Sequence, residues 1–115
     1  MKLLVVCTTV GQVDDARRIA TAAVGRGLAA CVHIDAIESV YRWQGAVQQE
    51  HEQRLMFKTT EAAAPALRSL ILAMHPYELP ALYSLDVGEA SAAYADWVIG
   101  QAGGASAAPA DPASG

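Results

Sequence analysis

His75, Pro76, Tyr77, Glu78 and Pro80 fall within one short stretch, LAMHPYELPALYSLDV, near the middle of the chain. An imidazole, a phenol and a carboxylate set between prolines suit two purposes. They can form the rim of a ligand or metal site, or a rigid connector whose polar groups meet water. Cys7 lies in an apolar run far away in sequence. Thiolate and imidazole together suit Cu(I) or Zn, so Cys7 and His75 form a candidate metal pair. Glu78 would add an oxygen ligand and Met74 a thioether. The same thiol and imidazole could act as nucleophile and base, although no third residue that would orient them is apparent. The plainer reading makes Cys7 a small core side chain and His75 a group that meets the dipole at a helix C-terminus.

Other constellations are weaker. Tyr41, Trp43, Lys58, Tyr77, Tyr94 and Trp97 can line a cleft between subunits with a cationic end, suited to a small anionic or aromatic ligand. Alternatively the rings pack an interface and Lys58 pairs with an acid such as Glu78. His33 and Asp35 share one strand face and make either a ligand pair or, more plainly, a pH-sensitive interface contact. His51 and Glu52 are strand neighbours pointing to opposite sides, a poor geometry for chelating one ion.

The elements that must carry these groups follow from pattern. KLLVVCTT is a continuous apolar run, the signature of a buried strand. Val13, Ala16, Ala20, Ala23 and Val24 then recur at helical spacing, with Asp14 and Asp15 in the first turn. Asp14 is placed to pair with Arg18, and Gly27 supplies the stop. From Leu28 to Trp43 the residues alternate, but the apolar parity swaps near Asp35–Ile37, which predicts a bulge or a change of packing partner there. Gln44 and Gly45 make the turn into a second long strand, 46–60. Two strands of about 14 residues would reach roughly 45 Å, far more than a compact domain of this size needs. The hairpin must project, and the rings near its end, Tyr41 and Trp43, call for cover from another chain.

A helix follows with Pro65 in its first turn and a stripe at Leu67, Leu70, Ile71 and Met74. Pro76 ends it. ALYSLDV reads as a strand, and Ser91 caps a last helix bearing Tyr94, Trp97 and Val98. The order βαββαβ plus a terminal helix predicts an α+β, ferredoxin-like sandwich. Residues 1–101 form the domain. Residues 102–115 are small, flexible or proline, and predict a disordered tail.

Composition narrows the function. The chain has 115 residues, enough for one domain, 53% hydrophobic content and a net charge of −4. No basic run exists to track phosphates, which argues against a nucleic-acid partner. No apolar run approaches the length of a membrane span, and the first apolar stretch is too short for a secretory signal. A cytoplasmic location is the expectation. Two cysteines without CxxC spacing make neither a disulfide framework nor a zinc ribbon.

The residues just described resemble the CutA (CutA1) divalent-cation tolerance family. The likeness rests on CTT at Cys7–Thr9, GLAACVHI at Gly27–Ile34, SVYRWQG at Ser39–Gly45, Lys58–Thr59, HPYELP at His75–Pro80 and YADW at Tyr94–Trp97. His33 stands where the family often has Asn, and Ala36 where Pro is frequent. Met74 and Ala81 replace a His and a Glu that flank the HPYELP motif in some members. The resemblance implies a PII-like homotrimer whose long hairpins wrap neighbouring subunits and leave clefts between them. It also implies a role in tolerance of copper or another divalent metal, with no catalytic activity.

Overall fold

The computed structural model describes residues 1–103. The elements are β1 (Leu3–Val10), α1 (Val13–Gly25), β2 (Cys31–Trp43), β3 (Ala46–Thr60), α2 (Ala64–Met74), β4 (Leu82–Asp86) and α3 (Ala92–Gln101). The four strands form one antiparallel sheet in the order β2-β3-β1-β4. This is the split βαβ arrangement expected from the pattern, with β2 and β4 at the edges.

Opposed residues of neighbouring strands share a face, so the register sorts the side chains. One side carries the rows Ser84–Val6–Phe57–Val32 and Leu82–Thr8–Leu55–Ile34. Val6, Leu55 and Phe57 of these rows, with Val32, Ile34 and Leu82 packed against them, meet Ile19 and Ala23 of α1 and Leu67 and Ile71 of α2 in the main core. The other side carries Leu85–Val5–Lys58–Cys31 and Tyr83–Cys7–Met56–His33. Leu3 alternates onto that second side and, with Ala30 and Ala63, packs beneath Val98 and Ala102 of α3. The rest of that side is open, and Tyr83 and Leu85 are each about half exposed at 52% and 47%.

The helix boundaries have local causes. After α1, Gly27 takes φ 70°. Its N–H donates to the Val24 carbonyl, and the Leu28 N–H donates to that of Ala23. This is a Schellman closure, and it needs a residue without a Cβ at Gly27. Leu28 and Ala29 complete the turn and are buried. β2 therefore begins at Cys31, not at Leu28. Pro65 sits in the first turn of α2, which ends at Met74, one residue before His75–Pro76. The Ser91 hydroxyl accepts the Tyr94 N–H at 3.3 Å and caps α3.

Two local expectations are corrected. The β2–β3 register runs unbroken from Cys31↔Lys58 to Trp43↔Ala46, so there is no bulge near Asp35. The parity swap has a different cause. Val32 and Ile34 lie over the helices, whereas the hairpin beyond Ala36 has left them, and its large side chains follow the opposite face. In α1 the ion pair to Arg18 comes from Asp15, not Asp14, and Arg18 also donates to the Met74 carbonyl at the end of α2.

The hairpin closes in two residues. Gln44 and Gly45 both have positive φ, 52° and 81°, as a type I′ turn requires. The described chain measures 44 × 32 × 20 Å, and the outer hairpin is exposed, with Val40 and Val47 at 65% and 67%. Ala102 is buried, and its carbonyl accepts the Thr60 hydroxyl, so the folded part extends past residue 101. Residues 104–115 of the expected tail lie outside the described residues.

Candidate functional site: a cleft between the hairpin and the 75–81 connection

The proline-bounded connection is pinned at three points. Pro76 forbids helix at His75, which takes the extended conformation and turns its ring back toward β1. Nε2 lies 2.8 Å from the Thr9 carbonyl oxygen, and Nδ1 accepts the Tyr77 N–H at 3.1 Å. A carbonyl only accepts, so Nε2 carries the proton and the imidazole is the neutral tautomer. Burial lowers the His75 pKa, against the opposing effect of the Thr9 bond. The ring also lies 4.9 Å from that of Tyr77.

Tyr77 reaches across to the hairpin, and its hydroxyl donates to Glu52 Oε2 at 2.9 Å. Burial, reinforced by the Glu52 bond, pushes the phenol pKa well up. Gly11 leaves room for this hydroxyl, since a Cβ there would stand 3.2 Å from it. The third pin is Thr8, whose hydroxyl donates to the Ala81 carbonyl at 2.6 Å.

Between this connection and the outer hairpin lies an open cleft of about 1230 Å³. Tyr41, Trp43 and Tyr77 of the expected cleft set line it together with Glu78, which was expected as a metal ligand. Glu50 and Glu52 also line it. Tyr41 donates its hydroxyl to Glu50 Oε1 at 2.7 Å. That bond and the two nearby carboxylates raise the Tyr41 pKa.

The remaining predicted residues lie elsewhere. Lys58 is on the open sheet face, with Nζ 2.8 Å from His33 Nδ1. It pairs with neither Glu78 nor any other acid among the described residues, and it gives the cleft no cationic end. Asp35 pairs with Arg54 through two bonds, at 3.2 and 2.8 Å, rather than with His33. Tyr94 and Trp97 stack on each other along α3, 6.0 Å apart. Cys7 is buried between Met56 and Tyr83, and burial raises its thiol pKa.

The three candidate ligands do not form one donor set. Both ring nitrogens of His75 are engaged by backbone groups, Cys7 is a buried thiol and Glu78 is exposed in the cleft. Among the described residues no group of three or more His, Cys, Asp or Glu side chains could hold a metal ion. The copper chemistry inferred from residue types thus lacks a preformed site among the described residues of one copy.

Glu50, Glu52 and Gly11 were missed as site residues. A signal existed for the first two. Once the two-residue turn fixes the register, alternation puts Tyr41, Trp43, Glu50 and Glu52 on one face. For Gly11 nothing in the sequence distinguishes a strand-ending turn from a place kept clear for a distant hydroxyl.

Comparison with known proteins adds a consistent picture. The family model described as CutA1 divalent ion tolerance protein matches residues 4–101. The divalent-cation tolerance protein CutA of Thermus thermophilus is 43% identical over 95 residues, covering 82% of this chain and 92% of that protein. Human protein CutA is 38% identical over 84 residues, 72% of this chain. This chain spans about half the length of the human and mouse relatives, with 47% and 48% of them covered. The structure of CutA from Synechococcus elongatus superposes with a TM-score of 0.85 at 44% identity, covering 88% of this chain and 90% of that one.

Proposed function

This chain belongs to the CutA1 divalent ion tolerance family, and from that premise we propose that it is a non-enzymatic homotrimer that takes part in the cytoplasmic response to divalent metal ions. The observation that carries the assembly is the unfinished surface on one side of the sheet. Tyr83 and Leu85, and the hairpin rings Tyr41 and Trp43, are all between 38% and 52% exposed in a single copy. A long ribbon with apolar groups along one face gains most by lying against another copy. The absence of turnover is supported by the state of the two reactive groups. The Cys7 thiol is buried with a raised pKa, and His75 has no free nitrogen to act as a base.

Direct binding of copper or another divalent metal is the finer part of this reading. With no complete donor set among the described residues of one copy, a specific site would be assembled from more than one chain. A second reading, a PII-like sensor of a small ligand, is favoured by the open cleft beside Tyr77. Analytical ultracentrifugation of the full chain tests the assembly: a three-copy particle is expected, and a single-copy particle overturns it. Equilibrium dialysis with Cu²⁺ and Zn²⁺ tests the metal. Saturable binding lost on dissociating the trimer supports an intersubunit site, and no saturable binding removes the direct role.

A further inference from the structure

The open side of the sheet carries two bases bonded to each other. Lys58 Nζ lies 2.8 Å from His33 Nδ1. An ammonium group only donates, so Nδ1 is the acceptor and the imidazole is neutral, with its proton on Nε2. A protonated imidazole has no lone pair left to accept this bond. It would also set a second positive charge directly against the ammonium. The contact therefore exists only while His33 is uncharged.

The surroundings offer an added proton no compensation. On this side His33 shares its rows with Lys58 and Arg54 of β3, Cys7 of β1, Tyr83 of β4, and Cys31 and Asp35 of its own strand. From α3, Tyr94 stands close enough to Cys31 to feel its charge. Asp35 is the one carboxylate among these groups, and Arg54 holds both its oxygens, at 3.2 and 2.8 Å. A His33–Asp35 pair would be strengthened by protonation. The His33–Lys58 pair is broken by it, so the response to pH has the opposite sign. His33 is exposed in one copy, in the same cross-strand row as half-exposed Tyr83. We propose, resting on the homotrimer reading above, that the Lys58–His33 pair is a proton-sensitive element of the interface: a neutral His33 lets a second copy close over this side, and protonating it puts two unpaired cations under the cover and drives the copies apart. Like charges left unpaired in an interface oppose association.

The test is sedimentation of the full chain over a range of concentrations at pH 7.5 and 5.5, an interval in which imidazoles ordinarily change charge. The concentration at half-assembly should rise about tenfold or more at the lower pH. Circular dichroism should show the released copies still folded. The chain has three histidines, His33, His51 and His75, and only His33→Gln should abolish the shift. A glutamine amide still accepts from Lys58 and takes up no proton; His33→Asn serves if that variant fails to fold. Lys58→Met should shrink the shift, because His33 then charges with no ammonium against it. Loss of the shift in His51→Gln or His75→Gln instead, or release accompanied by unfolding, would overturn the proposal. So would an assembly that tightens on acidification, as it would if a neighbouring copy's carboxylate sat on the pair. A three-copy particle indifferent to pH refutes the switch and keeps the assembly, whereas a single-copy particle already at pH 7.5 refutes the assembly and the switch with it.

Discussion

Tyr77 donates its hydroxyl to Glu52 across 2.9 Å, and this one bond joins the connection after α2 to the middle of β3. The two residues are 25 positions apart in sequence, and their contact sets the floor of the cleft.

Tyr77→Phe keeps the ring and removes the donor. A buried carboxylate left without its hydrogen bond costs about 1–3 kcal/mol, so the urea midpoint should fall accordingly. Glu52→Gln in the same background should recover part of the loss, and a double-mutant cycle reads the coupling. Gly11→Ala should weaken the same bond, because its new Cβ would press the Tyr77 hydroxyl at 3.2 Å.

The neutral His75 makes stability depend on pH in a definite direction. Its folded pKa is lowered, chiefly by burial, while the unfolded chain titrates near the ordinary value of about 6.5. The unfolded state therefore binds the proton more readily. The stabilisation is fully present above about pH 6.5 and is lost as pH falls from there through the folded pKa. Urea midpoints measured between pH 7.5 and 5 should decline, and His75→Gln should flatten that part of the profile.

The two thiols should react at different rates. Cys7 is 1% exposed and its pKa is raised by burial, whereas Cys31 begins an edge strand and is half-buried. Ellman's reagent at mildly alkaline pH should modify Cys31 first, with Cys7 reacting only on the timescale of unfolding. Comparison of Cys7→Ala and Cys31→Ala assigns the phases.

Gly27→Ala should cost about 1 kcal/mol, since it places a Cβ on a residue at φ 70° within a Schellman closure. Thermal unfolding reads this directly. Gly25→Ala makes a control, because a Cβ at Gly25 meets nothing within 4 Å.

Leu85→Asp puts a charge on the open sheet side without touching the main core. In the assembly proposed above, it should shift the sedimenting particle toward a single copy. Secondary structure by circular dichroism should be retained.

The backbone plan was legible because its signals are local. The Gln-Gly turn, Pro65, Pro76, Gly27 and Ser91 each act within a few residues of themselves, and each marks a boundary where the structure has one. The site was only half legible. Tyr41, Trp43, Tyr77 and Glu78 do meet in one cleft, but Lys58, expected among them, faces His33. By alternation it shares the sheet face of Glu50 and Glu52, but it sits at the end of β3 far from the hairpin turn, opposite Cys31. Distance along the strand keeps it out of the cleft, and the pattern alone does not show how far along the ribbon the connection after α2 reaches. The parity swap in β2 was visible, but its cause was not. A strand that outruns its helices and a strand with a bulge leave the same trace in a list of apolar positions.

β2 has a hydrogen-bonded neighbour on one side only. Its outer rim is a row of peptide groups that reads no side chain, so a stray extended segment could in principle zip onto it as well as a sister molecule could. Asp35, Glu38 and Arg42, all exposed along this strand, act as spacers against such accidental growth. Replacing them with neutral β-formers should leave the native fold intact while shortening the time a concentrated solution stays clear.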